Sequence, residues 1–143
     1  MSWLQKQSVL VPTDFSEASL AVLPTAREFV AQGSQLHIVH VLPAKLHPAE
    51  PGAMWQTVTE DSRRQHAAAA LKAKLQAQGY GDAQVRILFG TPSHEIADYA
   101  QQQAIELIVM PTHGYTGIKR VLMGSVAEQV ARLAPCPVLL LRA

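Results

Sequence analysis

What most constrains this chain is a regular alternation of short apolar runs with helical segments, from one end to the other. Val9-Leu10-Val11, cut by Pro12, is the first run; Leu36 to Leu42, Gln84 to Phe89, Leu107 to Met110 and Val138 to Leu141 follow. Each is short and rich in Val, Ile and Leu, as are strands covered on both faces in parallel sheets. The segments between them carry helical spacing and punctuation. The first helix is expected from Ser16 to Gln32, stopped by Gly33 and kinked at Pro24. The second runs from about Met54 to Gln78 and ends at Gly79-Tyr80-Gly81. The third opens with Thr91 as N-cap and Pro92 at the first helical position, where a missing N–H costs nothing. Ile96, Ala97, Ala100 and Ala104 follow at helical spacing. The fourth follows Gly124-Ser125 and places Val126, Val130, Leu133 and Ala134 on one face.

The order β-α-β-α-β-α-β-α-β predicts an α/β fold: a five-stranded parallel sheet with right-handed crossovers and helices on both faces, in three layers. With 143 residues, no repeat and no linker, the chain reads as one domain over residues 1–143. Ligands of such folds bind beyond the carboxyl ends of the strands, where strand order reverses. Residues 12–16, 41–44, 89–92 and 111–125 are therefore the ones to inspect.

Several function classes are disfavoured. No run approaches the roughly 18 apolar residues of a membrane span, and Asp14 follows the apolar stretch Val9–Pro12 too soon for a signal peptide. A single cysteine forms no intramolecular disulfide and suits a reducing compartment, so a cytoplasmic location is expected. A formal net charge of +1 supplies no strong field for nucleic acid or an anionic membrane. Only 16% of residues are charged against a usual share of about 25%, so the chain has uncharged surface to place.

Two places carry possible chemistry. Asp14, just beyond the first strand, could accept hydrogen bonds from a ligand amine or ribose hydroxyl; with Glu17 it also fits a helix capping box. The loop from Thr112 to Ser125 is bracketed by glycines and runs into a helix start, a setting in which backbone N–H groups approach an anion. Ser125 could donate to a phosphate oxygen, or cap its helix with Glu128. Neither standard phosphate-loop pattern occurs. Lys119 and Arg120 could neutralise phosphate, although an adjacent basic pair commonly forms a solvated face.

Other constellations point elsewhere. Ser125, His113 and Asp14 could be assembled into a hydrolytic triad, but the chain lacks G-x-S-x-G. His37 and His40 are three apart on a strand and face opposite sides, so they cannot chelate one metal together. The remaining histidines have no ligand spacing and read as surface or helix-end residues. Cys136, between two prolines, reads as a small buried hydrophobe. Arg63-Arg64 has Glu60 and Asp61 beside it, a poor nucleic-acid signature, and Met54 and Trp55 either cover the pocket mouth or pack on the core, the second being the favoured reading.

The segments VLVPTDFS at Val9–Ser16, His40-Val41 after the second strand, and Thr112–Ser125 followed by Pro135-Cys136-Pro137-Val138-Leu139 together resemble the universal stress protein family. The likeness covers essentially the whole chain. Its most specific element is the family's glycine signature: Gly, two residues, Gly, nine residues, then Gly and Ser or Thr. Here Gly114 and Gly124-Ser125 match its later part, and Pro111 stands in place of the first glycine.

The resemblance implies a Rossmann-like fold of the adenine nucleotide alpha-hydrolase-like type, with strand order 3-2-1-4-5. It further implies a small stress-response protein binding ATP, ADP or AMP at the switch point between the first and fourth strands. Pro12, Thr13, Asp14 and Val41 would hold the nucleoside side. Met110, Pro111, Thr112, His113 and Gly114 would line the middle, and Gly124, Ser125 and Val126 the phosphates. Mg²⁺ or Mn²⁺ could bridge bound phosphates, with no ligand from protein side chains. No residue stands out as a general base, so any ATP hydrolysis is expected to be slow. Strand 138–141, apolar and at a sheet edge if added last, would pair with its copy in a homodimer. The alternative is a dimeric partner-binding module that takes no nucleotide, a reading that Pro111 favours because proline offers no N–H.

Overall fold

The parallel ladder forms as the apolar runs predict, in the order β3-β2-β1-β4-β5. The strands are β1 Val9–Pro12, β2 Leu36–Leu42, β3 Gln84–Phe89, β4 Leu107–Pro111 and β5 Val138–Leu141. The computed structural model describes residues 4–44, 59–112 and 125–142. Val9 lies opposite both Leu36 and Leu107, which makes β1 the central strand. Pro12 does not cut β1 short; it is the last residue of that strand, opposite Val39. Pro111 likewise extends β4 by one residue, opposite Leu141. Proline is tolerated there because each closes its strand, where one ladder donor is dispensable.

Side-chain alternation along the strands sorts the core into two layers. Val9, Val11, Ile38 and Val109 face one side and pack against Leu23 and Leu71. Leu10, Val39, Ile108 and Met110 face the other and pack against Ile96 and Val130. On the first face lie α1 Glu17–Leu20, α2 Leu23–Glu28 and α3 Glu60–Ala77; on the second lie α4 Pro92–Gln102 and α5 Ser125–Leu133. Each fully buried aliphatic side chain contributes about 1.5–3 kcal/mol relative to exposure, so both faces are strongly held.

The helices depart from expectation in four ways. Pro24 does not merely kink a helix over 16–32. The segment breaks into α1 and α2, with Pro24 in the first turn of α2, and the helix stops at Glu28. A short 3₁₀ turn, Gly33–Gln35, then leads into β2. Thr91 is the N-cap of α4 by position, but its side chain makes no capping bond. Ala104 does not belong to the helical face: it follows α4 with a φ of +51°. On α5 the buried positions are Ala127 and Val130, whereas Val126 and Leu133 are 37% and 45% exposed. Val130 and Ala134 pack on the core as expected, so the stripe runs through Ala127, Val130 and Ala134 and leaves Val126 and Leu133 outside it.

α3 begins at the N-cap Thr59, whose hydroxyl accepts the Ser62 N–H at 3.0 Å. It ends in a Schellman motif around Gly79, with φ +90°. There the Tyr80 N–H reaches the Leu75 carbonyl at 2.8 Å and the Gly79 N–H the Gln76 carbonyl at 3.2 Å. Met54 and Trp55, with the expected start of this helix, lie outside the described residues.

Candidate functional site

The helices before β3 cover one face of the sheet and the later ones cover the other, so β1 and β4 diverge into a crevice at their carboxyl ends. A cleft of about 300 Å³ occupies it, at the lower end of the range for small-molecule sites. Its walls are largely apolar, with Val39, Val41, Ile96 and Met110 contributing. Pro12 and Pro111 edge it, and Asp14, His40 and Ser125 supply polar groups. Sequence-predicted residues Pro12, Thr13, Asp14, Val41, Met110, Pro111, Ser125 and Val126 thus come together from four separate parts of the chain.

The loop leaving β1 is built by its own side chains. Thr13 donates its N–H to the Val39 carbonyl at 2.8 Å, carrying the β1–β2 ladder one residue further. Its Oγ1 accepts the Phe15 N–H at 3.0 Å and lies 2.8 Å from Ser19 Oγ. Ser19 Oγ in turn donates to the Ser16 carbonyl at 2.9 Å. The single Ser19 proton is used there, so the Thr13 hydroxyl donates to Ser19. The N–H and hydroxyl of Thr13 are therefore committed within the protein, and Thr13 shapes the loop.

Asp14 is not the helix cap. Its Oδ1 accepts the Ser16 N–H at 3.0 Å, an Asx turn. The cap is Ser16, whose Oγ accepts the Ser19 N–H at 3.1 Å. The capping-box alternative for Asp14 with Glu17 is thereby replaced, and Asp14 remains a carboxylate on the cleft wall. At the other motif, Ser125 already belongs to α5, and the Glu128 carboxylate accepts from Arg132 at 2.8 Å.

Thr112 is buried, and its N–H donates to the Leu141 carbonyl at 3.0 Å; it is not among the residues lining the cleft. His113, Gly114 and Gly124 lie outside the described residues, as do Lys119 and Arg120. The triad of Ser125, His113 and Asp14 consequently has two members on the cleft and one outside the description.

The cleft also includes residues given no site role from the sequence: Ser19, Val39, Ile96 and Ala127, together with His40 of the family-like His40-Val41 segment and Pro92 of the 89–92 stretch. Ile96 and Ala127 carried a signal, since helix starts after β3 and β4 must point at the same crevice. His37 and His40 do face opposite sides, but neither is a plain surface residue. His37 is buried against Tyr99, and His40 bonds the Thr13 carbonyl. Among the described residues, no three His, Cys, Asp or Glu side chains converge as a metal site. Cys136 is partly buried beside β5, where burial pushes its thiol up and makes it a poor nucleophile.

The family model described as "Universal stress protein family" matches residues 6–142. Universal stress protein MJ0531 of Methanocaldococcus jannaschii is 36% identical over 141 residues, covering 95% of this chain and 82% of its own length. Universal stress protein UspA from Lactobacillus plantarum has a similar solved structure, with a TM-score of 0.74 at 27% identity over 96% of this chain and 99% of that one. A universal stress protein solved in complex with cAMP shares the fold at a TM-score of 0.63 and 21% identity, covering 95% of this chain and 97% of that one.

Proposed function

The chain belongs to the universal stress protein family, and from that premise we propose that it binds an adenine nucleotide in the cleft between the ends of β1 and β4. ATP, ADP or AMP would be the ligand, and the protein would act in the cytoplasm as a nucleotide-linked regulator or protector under stress. The observation that carries this reading is the cleft itself. Apolar walls formed by Val41, Ile96 and Met110 suit a base, while Asp14 offers a charged acceptor and Ser125 stands at the start of α5. A fold neighbour bound to cAMP supports an adenine ligand of this kind.

In this reading Pro12, Thr13, Asp14 and Val41 contact the nucleoside. Met110 and Pro111 flank the middle of the ligand, and Ser125 and Val126 meet the phosphates, where the partial positive charge of a helix start favours an anion. His113, Gly114 and Gly124 would join them as the family resemblance implies, whereas Thr112 stands behind the cleft wall. Hard oxygen donors are what Mg²⁺ or Mn²⁺ requires. Such an ion would take them from phosphate and water, with the Ser125 hydroxyl within the same site. No step of chemistry is assigned: the described cleft residues supply groups that bind. No described helix is long and apolar enough to cross a membrane, and the protein would form a homodimer through Val138–Leu141 at the sheet edge.

Pro111 favours a second reading, a partner-binding module of the same fold that takes no nucleotide, because the cleft edge there lacks an N–H. Denaturing the purified protein and passing the supernatant over an anion-exchange column separates the two. Co-purified nucleotide, or heat on titrating AMP or ATP into the stripped protein, is the expected result. Neither retained nucleotide nor titration heat would leave the partner-binding module.

A further inference from the structure

One side chain outside the loop that leaves β1 holds that loop in place. His40, near the carboxyl end of β2, lines the cleft. Its Nδ1 lies 2.7 Å from the carbonyl oxygen of Thr13. A carbonyl only accepts, so the ring carries a proton on Nδ1 and donates it there. The same imidazole meets the Phe15 ring edge-on, with centroids 4.6 Å apart and planes at 81°.

Phe15 has a φ of +68°, in the left-handed region that residues with a Cβ seldom adopt. Such a conformation persists only where the surroundings over-determine it. Here the ring is held by His40, and the Lys74 ammonium lies 5.5 Å from its centroid. The Phe15 N–H is tied to Thr13 Oγ1 at 3.0 Å. Asp14 therefore sits between two residues that His40 fixes, one by a hydrogen bond and one by ring contact.

We propose that His40 is a positioning residue: through Thr13 and Phe15 it holds the Asp14 carboxylate where it accepts the ribose hydroxyls of the bound nucleotide. This rests on the proposed adenine-nucleotide function and assigns its ribose discrimination to a residue on a different strand.

Calorimetric titration with AMP and with 2′,3′-dideoxy-AMP tests it. The wild-type protein should prefer AMP by about tenfold or more, the scale of a hydrogen bond to a charged group. His40→Ala, and His40→Leu, which keeps bulk without a donor, should bring that ratio to about one while dideoxy-AMP binds within about twofold of wild type. His40→Asn, whose side-chain amide can donate to Thr13, should restore the preference. Asp14→Ala should also erase the preference, with His40→Ala adding nothing further on top of it, as expected for two residues acting on one contact. Circular dichroism establishes that each variant is folded. An unchanged ratio in both His40 variants, or equal weakening of both ligands, overturns the positioning role and leaves nucleotide binding standing. A wild-type protein that binds neither ligand removes the function itself, and His40's role with it.

Discussion

The imidazole of His37 and the hydroxyl of Tyr99 meet at 2.7 Å between β2 and α4, both residues buried, with the rings edge to face at 66°. Burial, and secondarily the nearby Arg86 guanidinium, pushes the His37 ring below the ordinary histidine value. Burial pushes the Tyr99 phenol up, with Arg86 opposing. The unfolded chain takes up a proton at His37 near its ordinary value of about pH 6.5, where the folded ring still resists it. Stability therefore falls as pH drops through about 6.5, and the loss levels off below the folded value. Melting temperatures measured from about pH 7.5 to 5 should show this decline, and His37→Gln should flatten it. At the alkaline end the unfolded chain loses the Tyr99 proton first, so stability falls again above about pH 10.

Asp14 and Ser16 stand two residues apart with different duties, and substitution should separate them. Ser16→Ala removes the α1 cap and should cost about 1 kcal/mol in urea denaturation while leaving AMP affinity unchanged. Asp14→Ala removes one turn bond and should leave the fold intact yet weaken AMP binding by about tenfold or more in calorimetry. Equal effects on binding from both would mean the loop, and not the carboxylate, carries the affinity.

Leu71 and Leu75 are the buried residues of α3. Leu75→Ala should therefore cost about 2–5 kcal/mol, lowering the urea midpoint with an unchanged slope. Lys72→Ala, on the exposed face beside it, should stay within about 0.5 kcal/mol of wild type.

The edge of β5 yields a test of the dimer. The carbonyls of Pro137 and Leu141 accept from the N–H groups of Ile108 on β4 and of Thr112 just beyond it. By strand alternation the backbone polar groups of residues 138 and 140 point to the open edge. Leu140→Pro deletes an outward donor and spares the β4 ladder. Sedimentation equilibrium at micromolar concentration should give twice the chain mass for wild type and one chain mass for the variant. A wild-type monomer rules out pairing through this strand.

The strands were legible because β-branched runs buried on both faces have few other uses, and their order follows the family resemblance. Most of the cleft was legible too: Asp14 and Ser125 from their places at a strand end and a helix start, Val41 and Met110 from the family resemblance. What the pattern hid was set by tertiary contact. The break at Pro24 and the left-handed Ala104 depend on how helices dock on the sheet, which spacing alone does not encode. The capping box at Asp14 misled because Ser16, two residues later, offers an equally good oxygen to the next turn. His40 was part of the family-like segment but received no role, because its ring meets the Thr13 carbonyl and a backbone partner leaves no trace in residue types.

The pairing of Val9 with Leu107 has a consequence for how the protein comes into being. β1 is synthesised before the other four strands, yet its second neighbour, β4, arrives only after β2, β3 and several helices have been made. Until then the middle of the sheet presents an open border, a surface that chaperones would shelter during synthesis. The crevice is finished later still, when α5 brings Ser125 and Ala127 to it. A nascent chain still short of that helix has an incomplete cleft, so capture of the proposed ligand would distinguish finished molecules from unfinished ones.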